Sequence, residues 1–125
     1  MDKKQQYEEN LETIGMRIEE GGAFLDDLKK ATIGDADLSE MKKNGAINIS
    51  GKNVTFTSKG QEEFNTLIRR HRLAERLMSD ILNIGGESME KHACEFEHIL
   101  STDITESICT LLGHPTTCPH GKAIP

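Results

Sequence analysis

The hydrophobic period of this chain switches from helical to strand-like and back, and that switch limits what it can fold into. From Gln5 to Glu20, apolar residues recur at Tyr7, Leu11, Ile14 and Ile18, the three-and-four spacing of one helical face. Gly21-Gly22 stops that helix. Phe24 to Lys30 reads as a second, short helix with Leu25 and Leu28 inward, and Asp35 caps a third that holds Leu38 and Met41. After Asn44-Gly45 the period drops to two. Ile47-Asn48-Ile49 alternates, Ser50 to Asn53 supplies turn residues, and Val54-Thr55-Phe56-Thr57 alternates again, which predicts a β-hairpin. Ser58 caps the next element and helical spacing resumes from Gly60 to Ile84. Gly85-Gly86 breaks it, Ser88 starts another helix that runs to about Leu100, and Ile104 to Leu112 forms a last one after the capping run Ser101-Thr102-Asp103. Three helices followed by a two-stranded hairpin is the order of a winged helix-turn-helix. The expectation is a mainly α chain with a small β-hairpin wing: a winged helix-turn-helix domain over 1–60 and an α-helical domain with a C-terminal tail over 61–125.

Composition narrows the function classes. Of 125 residues, 35% are apolar, 4% are aromatic and none is Trp, so the core must be aliphatic and thin. A core of this kind leans on a partner subunit, and Ile99, Leu100, Ile104, Ile108 and Leu111 offer the apolar surface for one. A net charge of −6 argues against wrapping nucleic acid by bulk electrostatics, while leaving room for a local basic face. Met1 to Gln6 is polar and no apolar run approaches ~18 residues, so a soluble, cytoplasmic protein without membrane contact is expected. Three widely spaced cysteines, Cys94, Cys109 and Cys118, suit reduced thiols or metal ligands better than a disulfide framework. No nucleophile and base pair stands out, so neither an enzyme nor a small-molecule substrate is expected.

The chemistry concentrates in two helices. In Cys94-Glu95-Phe96-Glu97-His98, the residues Cys94, Glu97 and His98 fall at i, i+3 and i+4 on one face, and Glu90 extends that face by a turn. Thiolate, carboxylate and imidazole together suit a first-row transition metal better than calcium or magnesium. The same residues also fit a solvated Glu/His surface with a half-buried cysteine. His71 and Glu75 are i, i+4 on the long helix, a spacing that lets two side chains share a metal; a half-buried helix histidine is the alternative. Two such faces in one small helical domain favour the metal. His92 falls on the far side of its helix and reads as surface, and Cys109 reads as a core thiol beside Ile108 and Leu112. His114, Cys118 and His120 carry ligand atoms, but the proline-containing tail around them reads as turn geometry before it reads as a metal clip.

Arg70-His71-Arg72-Leu73-Ala74-Glu75-Arg76-Leu77 and His92-Ala93-Cys94-Glu95-Phe96-Glu97-His98-Ile99-Leu100-Ser101 resemble the diphtheria-toxin-repressor family of metal-dependent transcriptional regulators. The tail from Gly113-His114-Pro115 through Cys118-Pro119-His120-Gly121 to Ile124-Pro125 is similar to the segment that follows dimerisation in its iron-responsive members. Those members continue into a small SH3-like β domain, whereas the present sequence ends at Pro125. The resemblance implies a metal-binding and dimerisation domain over 61–125, and a homodimer that binds a double-stranded DNA operator when metal is present. It implies that His71 and Glu75 are ligands of an ancillary site, with Glu90 standing where a His is usual. It implies that Cys94, Glu97 and His98 are ligands of a regulatory site, with first-helix carboxylates Glu9 and Glu12. Cys94 matches the iron branch while Glu9 and Glu12 match the manganese branch, which puts Fe(II) ahead of Mn(II). Metal between the first helix and the Cys94 helix would set the spacing of two wings, and half-site spacing is what an operator reads.

The helix-turn-helix is shortened and its third helix is acidic, with Asp35, Asp37 and Glu40 against Lys42 and Lys43. Ser39, Lys42, Lys43, Lys52 and Lys59 remain as the expected DNA contacts. The alternative is a metal-sensing protein-interaction module whose degenerate winged helix no longer reads DNA.

Overall fold

Where the period changes, the backbone changes with it. The computed structural model describes residues 2–125, and the chain divides into two compact units, Met1–Asn65 and Thr66–Pro125. Helix α1 spans Lys3–Glu19, opened by the Asp2 carboxylate, which accepts a hydrogen bond from the Gln5 N–H at 2.7 Å. Leu11 and Ile14 from its stripe are fully buried. Strand β1 (Ala23–Phe24), helix α2 (Leu25–Lys30) and helix α3 (Asp35–Lys43) follow. Gly34, not Asp35, holds the N-cap position of α3, and the Asp37 carboxylate accepts from the Gly34 N–H at 3.1 Å.

Strands β2 (Ile47–Ser50) and β3 (Asn53–Phe56) form the expected hairpin, with Ile47 opposite Phe56 and Ser50 opposite Asn53. Gly51 takes φ +61 at the first of the two turn positions, the conformation that a type II′ turn requires there. The sheet has a third strand. Ala23 pairs with Val54 and Phe24 with Asn53, in the order β1-β3-β2, so Phe24 leaves the helix predicted for it. Two residues carry no readable period, and only the edge of β3 makes them a strand.

Helix α4 covers Ser58–Arg76, and its first turn passes so close to the wing that a Cβ on Gly60 would lie 1.9 Å from the Ala46 carbonyl oxygen. The long helix expected to reach Ile84 is α-helical only to Arg76. It then widens into a π-helical turn over Leu77–Ile81, where the Leu82 N–H donates to the Leu77 carbonyl. Helix α5 (Gly86–Glu97) starts two residues before Ser88, and helix α6 (Thr102–Leu111) is capped by Ser101, whose hydroxyl accepts from the Ile104 N–H. Leu73, Leu100, Ile108 and Cys109 form one core cluster of the second unit, with Leu77, Phe96, Leu112 and Ile124 packed against it. Cys109 is thus the core thiol the sequence implies, with His114 Nδ1 at 3.4 Å from its sulfur. No helix among the described residues is long and apolar enough to cross a membrane.

Gly60→Ala should destabilise the protein by about 1–3 kcal/mol, the cost of forcing atoms into a filled space. Gly85→Ala, with nothing within 4 Å of the added carbon, should change stability far less. Urea unfolding of both variants checks the pair.

Candidate metal centre

His71 and Glu75 sit one turn apart on α4, both buried. His71 Nδ1 lies 2.9 Å from Glu97 Oε1, and its Nε2 lies 2.9 Å from Glu90 Oε1 and 3.6 Å from Glu75 Oε1. Three carboxylates therefore surround one imidazole. A neutral ring that gives its Nδ1 proton to Glu97 would leave the Nε2 lone pair aimed at Glu75 and Glu90, the usual way an outer carboxylate orients a metal-binding histidine. Ligand atoms of His71, Glu75 and Glu90 all lie within 4.8 Å of one another.

The two carboxylates that share Nε2 titrate against each other. Burial first, and then the hydrogen bond to Glu90, push the Glu75 carboxyl up to about 7. Burial pulls Glu90 upward too, but the hydrogen bond with Glu75 and the His71 charge outweigh it and hold Glu90 below the usual carboxylate value. A divalent ion supplies the positive charge this crowded, buried set lacks, so the donors fit a metal.

Cys94, Glu97 and His98 stand at the C-terminal end of α5, their ligand atoms also within 4.8 Å of one another. Glu97 is fully buried, and its Oε1 lies 3.8 Å from His98 Nε2 as well as near His71. The i, i+3, i+4 spacing is what brings these three side chains together. Glu9 and Glu12 lie on α1 in the first unit, Glu9 half-buried and Glu12 buried. His92 is exposed, as its helical phase requires.

A third group was not put together from sequence. Cys118 and His120 in the tail bring their ligand atoms within 4.8 Å of Glu75, with His120 Nδ1 2.9 Å from Glu75 Oε2. His114 stays out of it, beside Cys109. The tail is tied to α4 by arginines: Arg72 Nη1 donates to the Ala123 carbonyl at 2.6 Å and Arg76 Nε to the Thr117 carbonyl at 2.7 Å. The Cys-Pro-His-Gly spelling carried the hint. Its partner, more than forty positions earlier, could not be read.

Ser39, Lys42 and Lys43 are exposed on α3, and Lys52 is exposed in the hairpin turn. Lys59 is exposed at the start of α4, but its ammonium donates to the Asn44 carbonyl at 2.6 Å and lies 3.9 Å from Glu63, so it closes the end of α3. The acidic residues of α3 also have local work. Asp37 binds the Gly34 N–H, and Asp35 lies 3.8 Å from Lys29.

Residues 57–125 match the sequence model described as iron dependent repressor, metal binding and dimerisation domain. The iron-dependent repressor IdeR of Mycobacterium leprae is 35% identical over 89 residues, which cover 70% of this chain and 39% of that protein. The diphtheria toxin repressor of Corynebacterium efficiens is 29% identical over an alignment of the same length and shares. A solved manganese-dependent transcriptional repressor in complex with manganese superposes with a TM-score of 0.85 at 25% identity, over 95% of this chain and 58% of that one. The chain spans about two fifths of the length of the curated relatives it matches. With more than half of its residues matched to the family's metal-binding and dimerisation domain, and a helix-hairpin unit ahead of it, the chain belongs to the iron-dependent repressor family.

Proposed function

We propose that this protein is a divalent-metal-dependent, DNA-binding transcriptional repressor of metal homeostasis genes, active as a homodimer. The observation that carries the reading is the convergence of nitrogen, oxygen and sulfur donors on α4 and α5: His71, Glu75 and Glu90 in one group, Cys94, Glu97 and His98 in another. Imidazole and thiolate beside carboxylates select Fe(II) ahead of Mn(II), and both ahead of Mg(II) or Ca(II). When bound, the cation supplies fixed positive charge at buried carboxylates and so favours the arrangement of side chains that holds it. The chain's own residues do the rest. Glu97 orients His71, Arg72 and Arg76 hold the tail, and the π-turn closes α4 beyond Glu75.

Apolar side chains that the second unit leaves in solvent support self-association. Ile99 is 76% exposed, and Ile81, Leu82, Ile104 and Leu111 are all at least half exposed. Lys42, Lys43 and Lys52, with Ser39, are the cations and donors available to phosphate. Since Lys59 is engaged at Asn44, affinity for duplex in a dimer should depend on salt with a log–log slope no steeper than about −5.

The reading is tested by selecting bound duplexes from a random pool with and without Fe(II) or Mn(II) under anaerobic conditions. Metal-dependent enrichment of a two-half-site sequence is expected. Absence of binding to any duplex, with either metal, would transfer the role to protein docking through the acidic α3. Cys94→Ala or His98→Ala should lower apparent metal affinity by at least the roughly 10–100-fold that loss of even an outer partner costs, while His92→Ala should leave it unchanged. Glu9→Gln and Glu12→Gln in the same titration decide whether first-helix carboxylates contribute.

The Glu75 carboxyl gives the metal-free protein a signature. Its folded value of about 7 lies above the usual 4.5, so its stabilising contribution is full below pH 4.5 and is lost as pH rises through 7. Glu90, shifted the other way, acts only at more acid pH. The melting temperature of the metal-free wild type should therefore fall more between pH 5 and pH 8 than that of Glu75→Gln, and Fe(II) or Mn(II) should cancel the difference. Thermal melts across that range check it.

A further inference from the structure

Tyr7 lies on the apolar stripe of α1, yet its hydroxyl is not spent on solvent. It donates to Glu63 Oε2 on α4 at 3.2 Å, and the Asn44 side chain hydrogen-bonds the same group. Asn44 is the C-cap of α3, and its carbonyl accepts from the Lys59 ammonium at 2.6 Å. Lys59 Nζ lies 3.9 Å from Glu63 Oε1, so Tyr7 and Lys59 share the Glu63 carboxylate and both reach Asn44. One polar closure thus joins α1, the end of α3 and the first turns of α4, all within the first unit. We infer that Tyr7 is a positioning residue, whose hydroxyl ties α1 to the end of α3 and fixes the pose of the helix that carries Ser39, Lys42 and Lys43. The inference rests on the DNA-binding reading above and adds the residue that aims α3.

Apolar packing alone leaves this end of the unit loosely specified. Leu11 and Ile14 are buried and the Phe64 ring packs against Gly15, so hydrophobic contact secures α1 from its middle onward. Tyr7 stands a turn before Leu11, where its neighbours Gln6 and Glu8 are polar. Helix α3 buries Leu38 and Met41, while Lys42, Lys43 and Asn44 at its end are exposed. Directional bonds therefore have to place that end. The Thr57 hydroxyl donates to the Gly45 carbonyl and the Thr57 N–H to the Ala46 carbonyl, which holds the passage from α3 into β2 against the start of α4. Tyr7 adds α1 to the same junction. Because β2 begins at Ile47, whatever fixes Asn44–Ala46 also fixes the angle between α3 and the wing.

Native-state amide exchange on the full chain tests the tie. The amides of Asn44, Gly45 and Ala46 donate to the Glu40, Lys42 and Met41 carbonyls, and in Tyr7→Phe they should exchange roughly three- to tenfold faster, the worth of one net hydrogen bond. The amides of Leu25 and Ile33, bonded to the Lys52 and Leu28 carbonyls in the same unit, should keep their rates. Glu63→Ala should reproduce the effect, and adding Tyr7→Phe to it should change nothing further. Glu63→Gln, which keeps an acceptor for the phenol, should restore protection. On a duplex selected in the presence of metal, Tyr7→Phe should narrow the preference over a scrambled duplex and leave the salt dependence as in the wild type, because Lys42, Lys43 and Lys52 remain. The inference is overturned if exchange at Asn44–Ala46 is unchanged in Tyr7→Phe, or if Leu25 and Ile33 speed up as much, which would mark a general loss of stability. It is equally overturned if Tyr7→Phe accelerates exchange further in the Glu63→Ala background, or if duplex preference does not move. Failure of the repressor reading shows instead as no binding to any duplex with the exchange differences intact.

Discussion

Three carboxylates packed around one buried histidine are the arrangement on which the second unit depends. His71, Glu75 and Glu97 are all buried, and burying ionisable groups costs several kcal/mol each unless partners offset it. Protein groups offset part of it, through the His71 contacts and the hydrogen bond between Glu75 and Glu90. A divalent cation held there would offset it more fully, because it would place two positive charges where the negative ones converge. Metal binding at these residues would thus be coupled to folding of this unit by electrostatics, since the candidate ligands are core residues that need a counter-ion.

The local architecture follows from that requirement. The regular α-helical ladder of α4 ends at Arg76, directly after Glu75, and a wider turn follows. The tail then returns to α4 along two arginines, whose guanidinium groups bond carbonyl oxygens of the tail, Arg76 also lying 3.5 Å from Asp80. Burial and the hydrogen bond to Glu90 keep the Glu75 carboxyl high despite the neighbouring Arg72.

In the first unit, charges that look opposed to DNA on paper are partly absorbed into the fold. Asp37 serves the start of α3 and Lys59 its end, each satisfying backbone groups that a short helix leaves open. A helix of nine residues depends more on such caps than a long one does. Part of the acidity of α3 is therefore a requirement of its shortness, and one of its apparent cations is unavailable to phosphate for the same reason.

The sequence alone determined the order of helices and hairpin, the core stripe of α1 and the two faces that carry donor side chains, because each is a matter of spacing within one element. Cys94, Glu97 and His98 share a face by helical geometry wherever α5 lies. Tertiary structure decided the strand Ala23–Phe24, which exists only as an edge to β3, and the widening of α4 after Arg76, which no residue type announces. It also decided that His71 meets Glu90 and Glu97, 19 and 26 positions away, and that Cys118 and His120 meet Glu75. Those meetings depend on how the chain returns on itself. Local spacing sets which side chains share an element, and only packing sets which elements share a charge.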